Sequence, residues 1–285
     1  MAKTIGNPVS WAARNLGATS DHVSESVSQI GSADIRRLPE VQTLTMEDIR
    51  ICLRAGYQDF LETRADAIFI VLIYPIAGLL MFGLGLNRNM VPLLAPLVAG
   101  FALIGPVAAV GLYEISRKRE AGGSVHWLDA FSVFRSPSFG AILALGFYLV
   151  MLFLIWLMVA QSVYVQTLGP EPPASVGVFA STVLTTGAGW GMILIGTTIG
   201  FLFALLALAV SVVSFPLLLD KQVGVPVAVV TSVRVFRHNP GVILTWGFIV
   251  ALMLFLGSIP LLLGLIVVMP VLGHATWHLY RRAVA

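Results

Sequence analysis

The stretch LVAGFALIGPVAAVGLYEISRKR, residues 97–119, decides the fold. Its first part is an apolar run with Gly or Ala every few positions. It is interrupted at Gly105-Pro106, turns polar at Tyr113-Glu114 and closes on Arg117, Lys118 and Arg119. A helix of about 20 apolar residues crosses roughly 30 Å of hydrocarbon. A basic cluster at its end belongs on the cytoplasmic side. The stretch therefore predicts a membrane-spanning helix that leaves the bilayer toward the cytoplasm.

Composition supports this. Of the 285 residues, 58% are hydrophobic and 11% charged, and the mean hydropathy is +0.91. A soluble domain carries roughly 25% charged residues. So much apolar surface cannot be hidden in one core of this size, and lipid must cover the remainder. The net charge is only +3. The single cysteine, Cys52, excludes an intrachain disulfide and a Cys-based zinc or iron–sulfur site within one chain. The first apolar run begins near Ala67, so the first span is expected to act as its own insertion signal.

Working outward, six apolar runs approach spanning length: 67–86, 91–113, 139–163, 192–215, 242–257 and 259–279. The fifth is short and is expected to extend back to Pro240. A tight turn near Gly257-Ser258 joins it to the sixth. Residues 177–190 are mildly apolar and too short to cross, so they read as interfacial or re-entrant. With both termini on one face, that face receives 16 of the 17 Lys and Arg residues, and only Arg88 falls on the other. The rich face is cytoplasmic by the positive-inside rule.

Ahead of the spans, residues 1–43 are polar and Ser-rich and read as a disordered cytoplasmic tail. Thr45-Met46-Glu47-Asp48 has the form of a capping box. After it, Ile49, Leu53, Gly56, Tyr57, Phe60 and Leu61 predict the apolar face of a helix. Arg50, Arg54, Gln58, Asp59 and Glu62 predict its polar face. Such a helix is expected either along the membrane surface or packed on its own loops.

An internal repeat is visible. Phe134-Arg135 answers Phe236-Arg237, and Gly146-Phe147 answers Gly247-Phe248. Pro106, Tyr113 and Arg117-Lys118 lie over Pro270, Trp277 and Arg281-Arg282 at identical spacing. Residues 44–285 thus read as an all-α, six-span membrane domain of three hairpin repeats, about 44–120, 121–221 and 222–285, with amphipathic cytoplasmic helices. Ala95, Ala99, Ala102, Gly105 and Ala109, and the Gly196–Gly200 pair, mark expected helix contacts.

Few residues carry chemistry. Glu114, Arg117 and Asp220 sit at cytoplasmic exits of the spans. His274 and His278, four apart, share one helix face near another exit, and in the repeat alignment Glu114 lies over His278. Two imidazoles and a carboxylate make a weak metal candidate. The blander reading is border histidines anchoring a helix end. The expectation is no metal and no cofactor. Phosphate-loop and nucleophile-elbow motifs are absent from the sequence.

The motifs GPVAAVGLYEISRKRE, PLLLDK, FRHNPG and MPVLGHATWHLYRR resemble a family of bacterial integral membrane proteins catalogued only as a domain of unknown function. The resemblance spans about residues 35–285. It implies a bacterial inner membrane and six spans, and it brings no activity and no site residues. Haem–copper chemistry needs several imidazoles inside the bilayer. Of His22, His126, His238, His274 and His278, only His274 is expected at membrane depth.

Three functional classes follow. The first is a non-enzymatic accessory, assembly or structural partner of a larger membrane complex, such as a respiratory one. The second is a channel or carrier for a small or lipid-like substrate. The third is a membrane enzyme or metal- or haem-binding protein with its site near Glu114, His274 and His278. The expected partners are the lipid bilayer and the subunits of such a complex, not nucleic acid.

Overall fold

A computed structural model describes residues 38–71, 76, 79–80, 83, 88–123, 126–221, 223–260 and 262–285. The tail up to residue 37 and most of the expected first span, 67–86, lie outside these. Among the described residues the chain is helical, apart from an isolated antiparallel bridge between Val41 and Val284.

The helices in chain order are α1 (Met46–Val71), α2 (Leu94–Ala108), α3 (Val110–Glu120), α4 (Phe139–Leu168), α5 (Val176–Thr185), α6 (Gly187–Ser211), α7 (Ser214–Lys221), α8 (Val225–His238), α9 (Pro240–Ser258) and α10 (Leu265–Ala283). Two 3₁₀ segments, Arg88–Leu93 and Trp127–Arg135, precede α2 and α4. Among the described residues, three helices are long and apolar enough to cross a membrane: α4, the continuous α6–α7 run (Gly187–Lys221) and α9. The 177–190 region forms α5 and the first turn of α6, hinged at Thr186, whose hydroxyl caps Gly189 N.

The capping box forms as expected. Thr45 N and Oγ1 each donate to Asp48 Oδ2 at 2.7 Å, and Asp48 N returns a bond to Thr45 Oγ1. The face that α1 buries is a correction to the sequence reading. The buried stripe is Ile49, Cys52, Gly56, Asp59 and Thr63, while Tyr57 and Leu61 are exposed. The cause is a close crossing with α10. A Cβ at Gly56 would lie 2.5 Å from Ala275 N and 2.6 Å from Val271 O, so only glycine fits there without moving a helix.

The small-residue stripe of α2 is also rotated. Ala95 and Ala99 are exposed, whereas Leu97, Gly100 and Leu103 are buried, and of the expected stripe Ala109 is buried in the core. Gly100 and Gly200 form slots for Phe153 and Trp156 of α4. The Trp156 indole donates to Pro96 O at 3.3 Å and meets Phe203 with ring centroids 5.6 Å apart. A Cβ at Gly196 would meet nothing within 4 Å, so only Gly200 of the pair lies at a close approach. The helix through the deciding stretch breaks at Ala109, one turn after Pro106, and resumes as α3. α9 begins at Pro240, as expected, with the proline in its first turn. α10 starts at Leu265, later than the apolar run that contains it. It forms the centre of the core, with Trp277 and Tyr280 fully buried alongside Tyr113 of α3 and Phe215 of α7.

The last six residues assigned to the tail are pinned instead. Gln42 N donates to Ala283 O at 2.9 Å and Ala285 N to Glu40 O at 3.1 Å. Asn239, between α8 and α9, accepts from Leu44 N at 2.7 Å and donates to Gln42 O at 3.0 Å. Asn239→Ala leaves both backbone groups without a side-chain partner, at a cost of about 1–3 kcal/mol. Limited proteolysis of this variant is expected to cut residues 38–45 faster than in wild type, with the α4–α6 region unaffected.

Candidate functional site

Where α1, α3 and α10 meet, the chain buries a polar chain of side chains. Ser116 Oγ lies 3.0 Å from Asp59 Oδ2 and 2.7 Å from His274 Nδ1. His278 Nε2 lies 2.9 Å from the same carboxylate oxygen. Asp59, Ser116 and His274 are buried, and His278 is partly exposed. Arg119 approaches Asp59 at 3.5 Å and also pairs with Glu62.

The positions follow from helix geometry. His274 and His278 are one turn apart on α10, Asp59 lies one turn below Gly56, and Ser116 lies on the buried side of α3. The crossing at Gly56 brings all four together.

The bonding pattern fixes the proton directions. A carboxylate only accepts, so Ser116 and His278 both donate to Asp59. The Ser116 oxygen then accepts from His274 Nδ1–H, which leaves His274 Nε2 as the unprotonated acceptor. That atom is buried with no hydrogen-bond partner among the described residues. Serine activation needs the opposite direction, with the hydroxyl donating to the imidazole. Burial pushes the Asp59 carboxyl up. The hydrogen bonds from His278 and Ser116 and the neighbouring imidazoles outweigh that and hold it below its ordinary value.

Glu114 is not part of this group. It is buried on the other side of α3, where Arg117 Nε and Nη2 grip it through two 2.8 Å bonds and Ser132 Oγ donates at 3.0 Å. The Glu114 hydrogen bond raises the Arg117 guanidinium further above its ordinary value. Lys118 pairs with Asp129 at 2.8 Å. Asp220 of α7 accepts from Tyr280 OH at 2.6 Å and from Arg281 at 3.4 Å. Burial, followed by that Asp220 contact, pushes the Tyr280 hydroxyl well up. Glu120 accepts from the Trp277 indole at 2.9 Å and from Arg281 at 3.0 Å. A cavity of about 300 Å³ lies between Glu114, Arg117, Lys118, Ser132, Arg135 and Asp220.

Of the sequence candidates, then, His274 and His278 come together, Glu114 and Arg117 pair with each other, and Asp220 joins α7 to α10. The carboxylate that meets the histidines is Asp59, which the sequence reading had placed on the solvent face. Its signal was there: Cys52, Gly56, Asp59 and Thr63 are small or short side chains at three-to-four spacing, the pattern of a close helix crossing. Among the described residues, no group of three or more His, Cys, Asp or Glu side chains could hold a metal ion.

Cys52 lies in the same α1–α10 interface. Burial pushes its thiol up to about 11. It is expected to stay unmodified by a disulfide reagent at pH 8 in the folded protein and to react at once in denaturing detergent, as read by thiolate release.

These features define an all-helical protein with membrane-length apolar helices and a buried polar cluster joining its helix ends. Residues 93–220 match the family described as "Predicted integral membrane protein (DUF2189)". The resemblance drawn from the motifs is to this family of unknown function. The matched stretch contains GPVAAVGLYEISRKRE and reaches Asp220 within PLLLDK, and the FRHNPG and MPVLGHATWHLYRR motifs lie beyond it. No curated protein and no solved structure matches the chain.

Proposed function

We propose that this chain is a six-span bacterial inner-membrane protein with both termini in the cytoplasm, and that it serves as a non-enzymatic accessory, assembly or structural partner of a larger membrane complex. One observation carries the reading: the buried carboxylates at the helix junctions are spent on neighbouring side chains. Asp59, Glu120 and Asp220 each hold two side chains across helix junctions, and Glu114 joins Arg117 of its own helix to Ser132 of the 3₁₀ segment before α4. A clamp of this kind fixes a shape and leaves no charged group poised for reaction. The outer faces of α4, α6 and α9 are apolar and carry exposed Phe147, Phe201, Phe248 and Phe255, suited to lipid and to neighbouring transmembrane helices.

The alternatives draw less support. Hydroxyls that could line a channel are bonded within their own helices, Thr198 to Leu194 O, Ser211 to Ala207 O and Thr245 to Gly241 O. The enzyme reading needs Glu114 beside His274 and His278, and Glu114 is bonded to Arg117 and Ser132 instead.

Native mass spectrometry after extraction in mild detergent tests the proposal. A reproducible assembly with other subunits is expected, and a lone chain under the gentlest extraction overturns it. A periplasm-active reporter fused after Arg282 is expected to stay silent, and activity there overturns the topology.

A further inference from the structure

The motif FRHNPG, Phe236–Gly241, has a use the clamp does not absorb. α8 ends on Arg237 and His238, Asn239 staples the junction to residues 42–44, and Pro240 opens the apolar helix α9. At this junction an open cavity of about 470 Å³ is lined by Val41, Arg234, Arg237 and His238. That volume falls in the range of small-molecule sites, about 300–1,000 Å³. Its lining contains three basic side chains and no carboxylate.

The contrast with the cavity beside Glu114 is informative. That cavity is lined by Arg135, which the Phe-Arg match aligns with Arg237, but its other cations are bonded to Glu114 and Asp129. At the α8–α9 junction, Arg234 donates only to Pro39 O at 3.2 Å. His238 Nε2 meets Thr43 Oγ1 at 2.9 Å. Among the described residues, Arg237 makes no ion pair or hydrogen bond. Basic residues in a helix's last turn complement its dipole. Here, beyond that, two of them, Arg237 and His238, converge with Arg234 on one concavity.

The walls are also fixed in advance. Val41 is bridged to Val284, and Asn239 holds Gln42 and Leu44, so the site needs little ordering on binding. One turn beyond Pro240, α9 presents exposed Leu244 and then Phe248, Leu252 and Phe255. A cationic concavity at the foot of an apolar, outward-facing helix suits a molecule with an anionic head and a long apolar tail.

We infer that Arg234, Arg237 and His238 bind the phosphate headgroup of an acidic phospholipid, whose acyl chains lie along α9. This rests on the membrane-spanning reading of α9 but not on any partner complex. Cations at an anionic lipid surface contribute about 1 kcal/mol each, about fivefold in affinity.

The test is native mass spectrometry of the full chain in detergent, titrated with phosphatidylglycerol. Arg237→Gln is the primary variant, because Arg237 holds no described contact whose loss would unfold the protein. Phosphatidylglycerol is expected to bind about fivefold more weakly to Arg237→Gln, and most of the affinity is expected to return in Arg237→Lys. Phosphatidylcholine is expected to bind wild type and variant alike. Arg135→Gln, in the carboxylate-containing cavity, is expected to change binding less than Arg237→Gln. Equal phosphatidylglycerol binding by wild type and Arg237→Gln overturns the inference. An equal loss in Arg135→Gln reduces it to general surface charge and overturns it too. Competition by inorganic phosphate as strong as by the lipid assigns the site to a free anion instead. Because the titration uses the isolated chain, its outcome is independent of whether a partner complex is found.

Discussion

Replacing Gly56 by leucine is expected to part α1 from α10 and to unfold the chain's polar clamp. A Cβ at this position meets two backbone atoms, Ala275 N at 2.5 Å and Val271 O at 2.6 Å, together with the Cβ of Ala275 at 2.7 Å. No rotamer change relieves a clash with backbone, so one helix must move. Overpacking of this sort costs about 1–3 kcal/mol and more where the backbone cannot give. Here it also pulls Asp59, one turn on, out of reach of His278 and Ser116. Gly56→Leu should therefore lower the melting temperature in detergent by many degrees, and Gly56→Ala by several. Gly196→Ala, which meets nothing within 4 Å, should be neutral or slightly stabilising because alanine loses less backbone entropy in a helix. Equal effects at the two glycines would remove the crossing from the fold.

Asp59→Ala is expected to cost about 3 kcal/mol, the scale of breaking a buried charged network by deleting one partner. Ser116, His278 and Arg119 all lose the acceptor that orders them. Asp59→Asn keeps the shape but cannot accept from all of these at once, and an intermediate loss is expected. The pH dependence separates the charge from the packing. The folded pKa of Asp59 lies below its ordinary 3.8, so across that interval the unfolded chain binds more protons. The stabilisation is complete above the unfolded value and disappears as the pH falls through the folded one. Thermal unfolding in detergent should show wild type losing its advantage over Asp59→Asn below about pH 4. A double-mutant cycle of Asp59→Asn with His278→Gln should show coupling of about 1 kcal/mol or more. Strict additivity would mean that the contact contributes nothing.

The buried polar chain has a consequence for how the protein is built. The two ends of the described chain, near residues 40 and 285, are joined to each other and to α7 by backbone bonds and by Lys221 Nζ to Ala285 O at 2.6 Å. Together with Arg282 on Asp48 they close this end of the molecule around α10. The membrane-length helices α4, α6 and α9 keep apolar outer faces.

Much of this was legible because it is local. The capping box at Thr45 needs only four residues and formed as read. Pro240 starts α9 because proline fixes the first helical turn, and the apolar runs set the long helices α4, α6–α7 and α9. The face of α1 was not legible. Tyr57 and Leu61 counted as apolar in the sequence pattern, but a tight crossing excludes large side chains and selects Gly56 with its small neighbours. The Ala95–Ala99 stripe misled for the related reason that small residues permit contact without requiring it.

Local chemistry, then, placed the apolar helices, the breaks at proline and glycine, and the gathering of charge at helix ends, since these follow from what each segment can do alone in lipid or water. Only the tertiary structure paired Asp59 with His278, 219 residues away. Each residue turns about 100° around its helix axis, so which side chains meet depends on how two helices are rotated against each other. That rotation is set where their backbones touch, at Gly56 and Ala275.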